Sequence, residues 1–302
     1  MYLRDLVKNG KCEVNGKLEN RGYLLKTNDF IEIEIDAFRR TSMKPENIPL
    51  EIIFEDAHLL VINKPSGMLA HPSHRENSGT VLNALAFYLN SGFGGRNGEY
   101  VQGNTSGSAT NSTHHAFIRP GLVHRLDKQT SGLMVVARTP RSHRILCRHF
   151  EKKLVEKRYL ALVEGTVEKN EGIIDAPIGR YPDVKYWDIK SGGKAAVTRF
   201  LVRERFPDST LLELEPVTGR TNQLRIHCTY LGHPIVGDVA RGARAFARLC
   251  LHAYKLGFWH PDGTGHLEFQ VEAPLEMMLD SLAWGVRVPL RKEILSLRAV
   301  SQ

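Results

Sequence analysis

The sequence predicts an α+β fold with a mixed, largely antiparallel sheet, preceded by a small α/β module. At 302 residues the chain is long enough for one large and one small unit. Strand-like runs recur without the regular alternation with helices that a doubly wound fold requires. These runs are Gly121–Leu126, Leu133–Arg138, Tyr159–Val163, Val197–Val202, Leu211–Leu214 and Leu267–Val271. One convincing long helix interrupts them, Pro140–Leu154, with proline in its first turn.

The small module is predicted over residues 1–40, with a linker at 41–47. An initial helical pattern ends at Asn9–Gly10, since glycine tolerates a left-handed helix cap. Lys11–Lys17 then reads as a strand entering a tight Asn-Gly turn. The alternation of apolar and acidic residues in Asp29–Asp36 predicts a strand with one solvated face.

The larger unit is predicted over residues 48–302. Glu51–Asn63 reads as two strands around a turn at Asp56, and Thr80–Leu89 reads as a helix with one apolar face. Residues 91–113 are rich in Gly, Ser, Asn and Thr, so we expect a mobile insertion. A shorter helix is predicted at Leu275–Trp284.

Charge and cysteine usage restrict the class of protein. The formal net charge of +8 favours phosphate-bearing partners, although many basic proteins are merely soluble. The four cysteines are scattered singly, which argues against a zinc knuckle or a disulfide framework. The sequence has neither a membrane-spanning apolar run nor the apolar segment of a signal peptide, so we expect a cytoplasmic protein.

The segment His124–Gly132, which reads HRLDKQTSG, has the strongest chemical character. It forms a polar turn between two apolar runs, where a rigid support can hold functional side chains. Arg125 and Lys128 flank Asp127, which favours the ionised carboxylate and nucleophilic use. The alternative is an Asp that merely caps a turn, and local chemistry alone favours that alternative.

This segment resembles the signature of the RluA-type family of RNA pseudouridine synthases, in which the Asp is catalytic. Three further segments resemble the same family in the same order. They are Asn63–His71, Glu156–Gly165 and Val217–Asp238. One departure is Asn222, which stands where the family usually has His; Asn can still donate and accept hydrogen bonds.

The resemblance implies that Asp127 acts at C1′ of a uridine turned out of its stack, as nucleophile or as the base that yields a glycal. Arg225 would pair with Asp127 and keep it ionised. Tyr159 would lie against the uracil and help to remove the C5 proton. Arg125 would enter the stack as the base leaves. Further RNA contacts are expected at Lys64, His71 and Arg220.

The first residues resemble the second half of an S4-type RNA-binding domain. Its natural contacts to the RNA backbone are Arg4, Lys8, Lys11 and Lys17. The usual first helix has no counterpart here, so the start is truncated or the module is reduced. The alternative is a small packing extension with solvated lysines.

Other basic residues offer weaker signals. His114, His115 and His124 lack a metal-ligand spacing, so we expect solvated loop histidines. Arg241, Arg244 and Arg248 fall on one predicted helical face and contact phosphates or form a plain charged face. Phe258 and Trp259 are expected in the core rather than in a base-stacking platform.

Together these observations predict an isomerase that modifies RNA, with no cofactor and no metal. Ribosomal RNA is the first substrate expected and transfer RNA the second. We expect a monomer with no obligate protein partner. One competing hypothesis is a non-catalytic RNA-binding or ribosome-assembly protein. Another is a hydrolytic glycosidase, but such enzymes place two carboxylates about the scissile bond.

Overall fold

The computed structural model describes residues 6–19, 22–27, 29–33, 44–73, 76–91, 118–183 and 186–277. The chain divides into two compact units, Met1–Ser42 and Met43–Gln302. The predicted insertion at residues 91–113 lies outside the described residues beyond position 91, and so does most of the predicted helix Leu275–Trp284. Within the described ranges, no helix is long and apolar enough to span a membrane.

The small unit contains a three-stranded antiparallel sheet in the order β2-β1-β3. Its strands are β1 Cys12–Val14, β2 Lys17–Leu18 and β3 Ile31–Ile33. The predicted tight turn is present: Asn15 and Gly16 have φ of 53° and 74°, the left-handed values of a type I′ hairpin. The prediction of one buried face for β3 was wrong among its described residues, since Ile31 and Ile33 are both exposed.

The large unit is built on a ten-stranded sheet, which confirms the predicted α+β class. Its central path runs β4-β5-β7-β14-β8-β13-β12-β9, and β6 and β15 pair with β7 and β14. All described pairs are antiparallel except β7 with β14. The strands of this sheet are β4 Glu51–Glu55, β5 Leu59–Lys64, β6 Gly121–Leu122, β7 Ser131–Ala137, β8 Glu156–Glu164, β9 Glu171–Asp175, β12 Val197–Arg205, β13 Ser209–Pro216, β14 Leu251–Trp259 and β15 His266–Gln270. Strands β10 Ile178–Tyr181 and β11 Tyr186–Ile189 form a separate two-stranded antiparallel sheet.

Helices cover both faces of this sheet near β5 and β7. Helix α1 (Val81–Asn90) packs its buried face on alternate residues of the two strands, among them Ile62 and Met134. Helix α2 (Pro140–Glu151) buries Leu146 against the opposite set, among them Val61 and Val135. Burial on both faces explains why β5 and β7 read as continuous apolar runs rather than as alternating patterns.

Two predicted boundaries were wrong for local reasons. Helix α2 ends at Glu151 and not at Leu154, because Lys153 takes a left-handed conformation with φ 59°. Strand β6 ends at Leu122 and not at Leu126. Beyond Leu122 the next N–H of β7, that of Val135, donates to Nε2 of the His124 side chain at 3.0 Å instead of to a backbone carbonyl of β6. The residues from Val123 onward are therefore a loop.

Sequence patterns missed several elements. The third helix of the large unit, α3 (Gln223–Tyr230), carries a weak apolar face. The central strand β14 has no alternation because it is paired on both sides and largely buried. Phe258 is fully buried, as expected, whereas Trp259 at the end of β14 is exposed, contrary to expectation.

Candidate active site

Asp127 lies in the loop between β6 and β7. Gly132 allows β7 to start directly beside β14: its φ is 117°, and a Cβ there would collide with the backbone of Ala253. The segment Lys64–Gly67 packs against this loop and is hydrogen-bonded to it. Gly67 N–H donates to the Lys128 carbonyl at 2.9 Å, and Ser66 Oγ donates to the Gln129 carbonyl at 2.6 Å. Two of the segments singled out in the sequence therefore form one structural unit.

Asp127 lines a cavity of about 660 Å³. Three polypeptide segments supply most of its walls: the loop before β7, the segment from the end of α2 into β8, and the segment from the end of β13 into α3. Ala195 and Leu251 complete the lining. Four of the predicted site residues line it with Asp127: Arg125, Tyr159, Arg220 and Arg225. The structure thus brings most of the predicted catalytic set together, with both acidic and basic groups at one surface.

Burial raises the pKa of the half-buried Asp127 above the ordinary value of an Asp. Arg225, Arg125 and Lys64 oppose this effect, in that order, and Asp238 adds to it. The sequence predicted that flanking cations favour ionisation, but desolvation is the larger effect. Lys128, one of the two cations invoked, is instead exposed and bonded to Glu76 at 2.7 Å.

Lys64 was predicted to contact RNA, and this was wrong because its side chain is fully buried. Its ammonium donates to the carbonyls of Pro65 and Met68 at 2.8 Å and of Lys128 at 3.1 Å. Burial lowers the pKa of Lys64 to about 7, while the charge of Asp127 opposes that shift. Three acceptors match the three N–H bonds of the ammonium, so this geometry favours the charged form. Lys64 holds the loop that carries Asp127.

Arg225 was predicted to pair directly with Asp127, but its ion-pair partner in the described part of the chain is Asp238. Arg225 Nε lies 2.7 Å from Oδ2 and a terminal nitrogen 2.6 Å from Oδ1. Asp238 is almost fully buried. Arg225 therefore acts on Asp127 as a nearby charge, oriented by a second carboxylate. The segment Val217–Asp238 ends at this residue, for which the sequence alone indicated no role.

Helix α3 carries Arg225, and its N-cap residue is Asn222, whose φ is 53°. Asn tolerates this left-handed conformation better than most residues, which accounts physically for Asn at this position. The buried Gln223 side chain anchors the first turn: it accepts from Thr218 Oγ1 at 2.7 Å and donates to the Val197 carbonyl at 2.9 Å. The position of Arg225 is thus set by buried hydrogen bonds to β12 and to the turn after β13.

Tyr159 lies on β8 and lines the cavity beside Asp127. Burial, and then the charge of Asp127, raises the pKa of its phenol above 10. The phenol therefore stays protonated at neutral pH. A role in moving the C5 proton must consequently relay a proton through the hydroxyl, because the free phenolate is disfavoured.

Of the remaining predicted RNA contacts of the large unit, Arg125 and Arg220 line the cavity and His71 does not. Arg125 is exposed and lines the cavity, although it stands in the loop and not on a strand with Asp127 as predicted. Arg220 is half-buried, and its Nε donates to the Ala195 carbonyl at 3.0 Å. His71 is exposed but is not part of the cavity lining; its Nδ1–H donates to the Pro72 carbonyl at 2.8 Å.

Two cavity residues differ from the sequence prediction: His124 was assigned wrongly, and Lys157 was not predicted. His124 is not a solvated loop histidine: its ring stacks on Phe150 with centroids 4.5 Å apart, and burial lowers its pKa to about 3. Lys157 precedes Tyr159 by two residues on β8 and lines the same cavity. Strand periodicity from Tyr159 could have found Lys157.

The other basic candidates are accounted for differently. Arg241, Arg244 and Arg248 do not share a helical face: Arg241 is buried against the Trp187 carbonyl, Arg244 pairs with Glu164, and Arg248 donates to Ser131. His114 and His115 lie outside the described residues, as does Arg4 of the small unit. Lys8 and Lys17 are exposed and Lys11 is half-buried, so their predicted RNA contact stays a prediction.

Comparison with known proteins identifies the family of this chain. The sequence pattern of the family described as RNA pseudouridylate synthase matches residues 58–230. An uncharacterized RNA pseudouridine synthase of Aquifex aeolicus is 37% identical over 290 residues, which cover 90% of this chain and 85% of the relative. The ribosomal large subunit pseudouridine synthase D of Zymomonas mobilis is 34% identical over 294 residues, covering 92% and 86%.

A solved structure leads to the same family. The human RNA pseudouridylate synthase domain containing 1 superposes with a TM-score of 0.56 at 26% identity, covering 78% of this chain and 86% of that one. The fold of the large unit is therefore that of a known enzyme family. The chain belongs to the RNA pseudouridylate synthase family and is an isomerase that acts on RNA.

Proposed function

We propose that this enzyme converts uridine to pseudouridine in ribosomal RNA, with Asp127 as its catalytic residue. Several relatives are named ribosomal large subunit pseudouridine synthase D, and this supports ribosomal RNA ahead of transfer RNA. The observation that carries the assignment of Asp127 is its environment. A half-buried carboxylate faces Arg225, Arg125 and Lys64 in a cavity that also holds the Tyr159 ring.

The reaction gains and loses no atoms. The N1–C1′ bond breaks, the uracil turns, a C5–C1′ bond forms, the C5 proton leaves and N1 takes up a proton. Asp127 attacks C1′ as the N1–C1′ bond breaks, and the resulting ester bond breaks when C5 attacks C1′. Alternatively, Asp127 removes a sugar proton to give a glycal and returns that proton when the C5–C1′ bond forms. In either route the carboxylate form is the reactive one, and the cations around it offset part of the cost of holding that charge in the cavity.

The neighbouring side chains have separate roles in this proposal. Arg225, held by Asp238, stabilises the carboxylate of Asp127 and the anionic charge that the uracil carries while detached. Tyr159 packs against the uracil and relays the C5 proton. Arg125 is exposed and lines the cavity, which suits a side chain that fills the gap left by the target base.

The small unit is proposed to be a partial S4-like RNA-binding module that adds sequence-independent backbone contacts through Arg4, Lys8, Lys11 and Lys17. The domain boundaries of this proposal are 1–40, 41–47 and 48–302. None of the four cysteines, all of which the structure describes, is in a disulfide, which favours a reducing compartment, and we place the enzyme in the cytoplasm as a monomer.

The test is in vitro modification of unmodified large-subunit ribosomal RNA and, separately, of transfer RNA. Pseudouridine is mapped by chemical labelling and primer extension. We expect a labelled uridine in ribosomal RNA, absent with Asp127→Asn and present with Asp183→Asn, which neutralises an exposed Asp. Labelling of transfer RNA alone would contradict the substrate assignment. Undiminished labelling by Asp127→Asn would contradict the catalytic one.

A further inference from the structure

We propose that Lys153 and Lys157 form a phosphate-binding site in the cavity wall, which takes a backbone phosphate beside the target uridine. This rests on RNA being the substrate, as proposed above. Both residues line the same cavity as Asp127 and Tyr159. A nucleotide turned out of its stack brings its flanking phosphates with it, so the cavity must accommodate anionic oxygens as well as a base.

Lys157 faces the cavity because of its register on β8. Residues two apart on a strand share a face, so Lys157 lies on the face of Tyr159. Arg158, between them, belongs to the other face, where it pairs with Glu215 at 2.8 Å and with Glu156 at 3.3 Å. The two adjacent cations of this strand therefore have different partners. Arg158 belongs to an ion-pair network, and Lys157 lines the cavity.

Lys157 is half-buried, and no ion pair within 4.0 Å is seen for it among residues 6–277 where the structure describes them. Burial lowers its pKa, and the nearby charge of Lys153 lowers it further. Glu215 acts in the opposite direction, but Glu215 is already bonded to Arg158 and to Arg199. A partly desolvated ammonium without a direct counter-ion favours an anionic ligand.

Lys153 occupies a position where glycine is usual. It follows the C-terminus of α2 with φ 59°, its N–H donates to the Phe150 carbonyl at 3.1 Å, and the next N–H bonds to the His149 carbonyl at 2.9 Å. A left-handed conformation costs a non-glycine residue roughly 1–2 kcal/mol. The turn therefore keeps an exposed lysine at the cavity where a less strained residue would serve the fold better.

The surroundings of the two lysines favour a phosphate over a carboxylate-lined metal site or an apolar ligand. The adjacent His124 ring stays neutral and adds no charge of its own, since burial and the charge of Lys157 both lower its pKa. Besides Asp127, the exposed carboxylate of Glu151 also lines the cavity and opposes an anion. Neutralising a lysine should therefore weaken RNA binding, whereas neutralising Glu151 should strengthen it.

The experiment measures affinity for unmodified large-subunit ribosomal RNA between 50 and 300 mM KCl. It uses the full chain carrying Asp127→Asn, so that binding is observed without turnover. The added variants are Lys153→Gly, Lys157→Gln and the pair together. Lys169→Gln is the matched control, because Lys169 is an exposed lysine in the turn after β8 and does not line the cavity.

We expect each cavity substitution to reduce the slope of log Kd against log salt by about 0.7–0.9, and the double variant by about twice that. The control should retain the parent slope, and Glu151→Gln should bind more tightly. Lys153→Gly removes the strained conformation, so its thermal stability should match or exceed the parent's. Weaker binding by that variant therefore cannot come from misfolding.

An unchanged slope and Kd in the double variant would overturn the proposal, and so would an equal slope change in Lys169→Gln. This readout is independent of the reaction. If wild-type protein left ribosomal RNA unmodified while the cavity lysines still set the salt slope, the substrate assignment would fail and the phosphate site would stand.

Discussion

Arg225 and Asp238 form a bidentate ion pair, with Nε–Oδ2 and terminal N–Oδ1 distances of 2.7 and 2.6 Å. The pair joins helix α3 to the turn before Val239–Arg241. Its two members act on Asp127 with opposite signs: Arg225 lowers the pKa of Asp127 and Asp238 raises it. Asp238 thus orients Arg225, and the charge of Arg225 in turn acts on Asp127.

Asp238→Asn should shift the acidic limb of the rate profile to lower pH. Loss of the Asp238 charge removes an effect that raises the pKa of Asp127, and leaves the charge of Arg225 less compensated. Activity at neutral pH should fall because Arg225 is less well oriented. Leaving the half-buried guanidinium without its counter-ion should cost up to about 3–5 kcal/mol of stability. The checks are kcat/KM against pH and chemical denaturation. An acidic limb that moves to higher pH would contradict this account.

Asp127→Asn should abolish turnover and stabilise the fold at neutral pH. The folded-state pKa of Asp127 is raised, so its contribution to stability is full below the unfolded-state pKa and is lost as pH rises through the folded one. The neutral amide avoids that loss, and a gain of about 0.5–2 kcal/mol is expected at pH 7. The gain should vanish below about pH 3.9, where the carboxyl is protonated in both states. Thermal unfolding across pH tests this, with Asp183→Asn as control.

Tyr159→Phe should keep RNA affinity and lose rate. The ring that packs in the cavity is retained, whereas the hydroxyl needed to relay the C5 proton is removed. General acid–base groups contribute about 10²–10⁴-fold, which sets the expected fall in kcat. Because the pKa of Tyr159 is raised, ionisation of this phenol should cause no change in wild-type kcat below pH 10. Full activity of the Phe variant would restrict Tyr159 to packing.

Lys64→Met should destabilise the protein without changing the salt dependence of RNA binding. Three carbonyls lose their donor, and a buried polar group left unpaired costs about 1–3 kcal/mol. Turnover should fall with it, because the Lys128 carbonyl belongs to the loop that carries Asp127. Lys169→Met controls for the loss of a surface charge. A reduced salt slope in Lys64→Met would restore the original prediction of an RNA contact.

The sequence by itself determined the class of fold, the catalytic candidates and the family. Apolar runs were sufficient for β4 and β5 around Asp56, and helical periodicity was sufficient for helix α1, because local pattern and tertiary burial agree there. The ordered motifs identified Asp127, Tyr159 and Arg225, which the structure then brings to one cavity. Turn chemistry was similarly local, as at Asn15–Gly16.

Only the tertiary structure decided how charged residues are partnered and whether they are exposed. Lys64 reads as a surface cation in sequence, yet it is buried because β5 runs beneath the loop of Asp127, 63 residues further along the chain. The partner of Arg225 is likewise chosen by the fold, and the pKa of Asp127 is raised because desolvation exceeds the effect of its cations. Desolvation and ion pairing depend on groups distant in sequence, so no local pattern can report them.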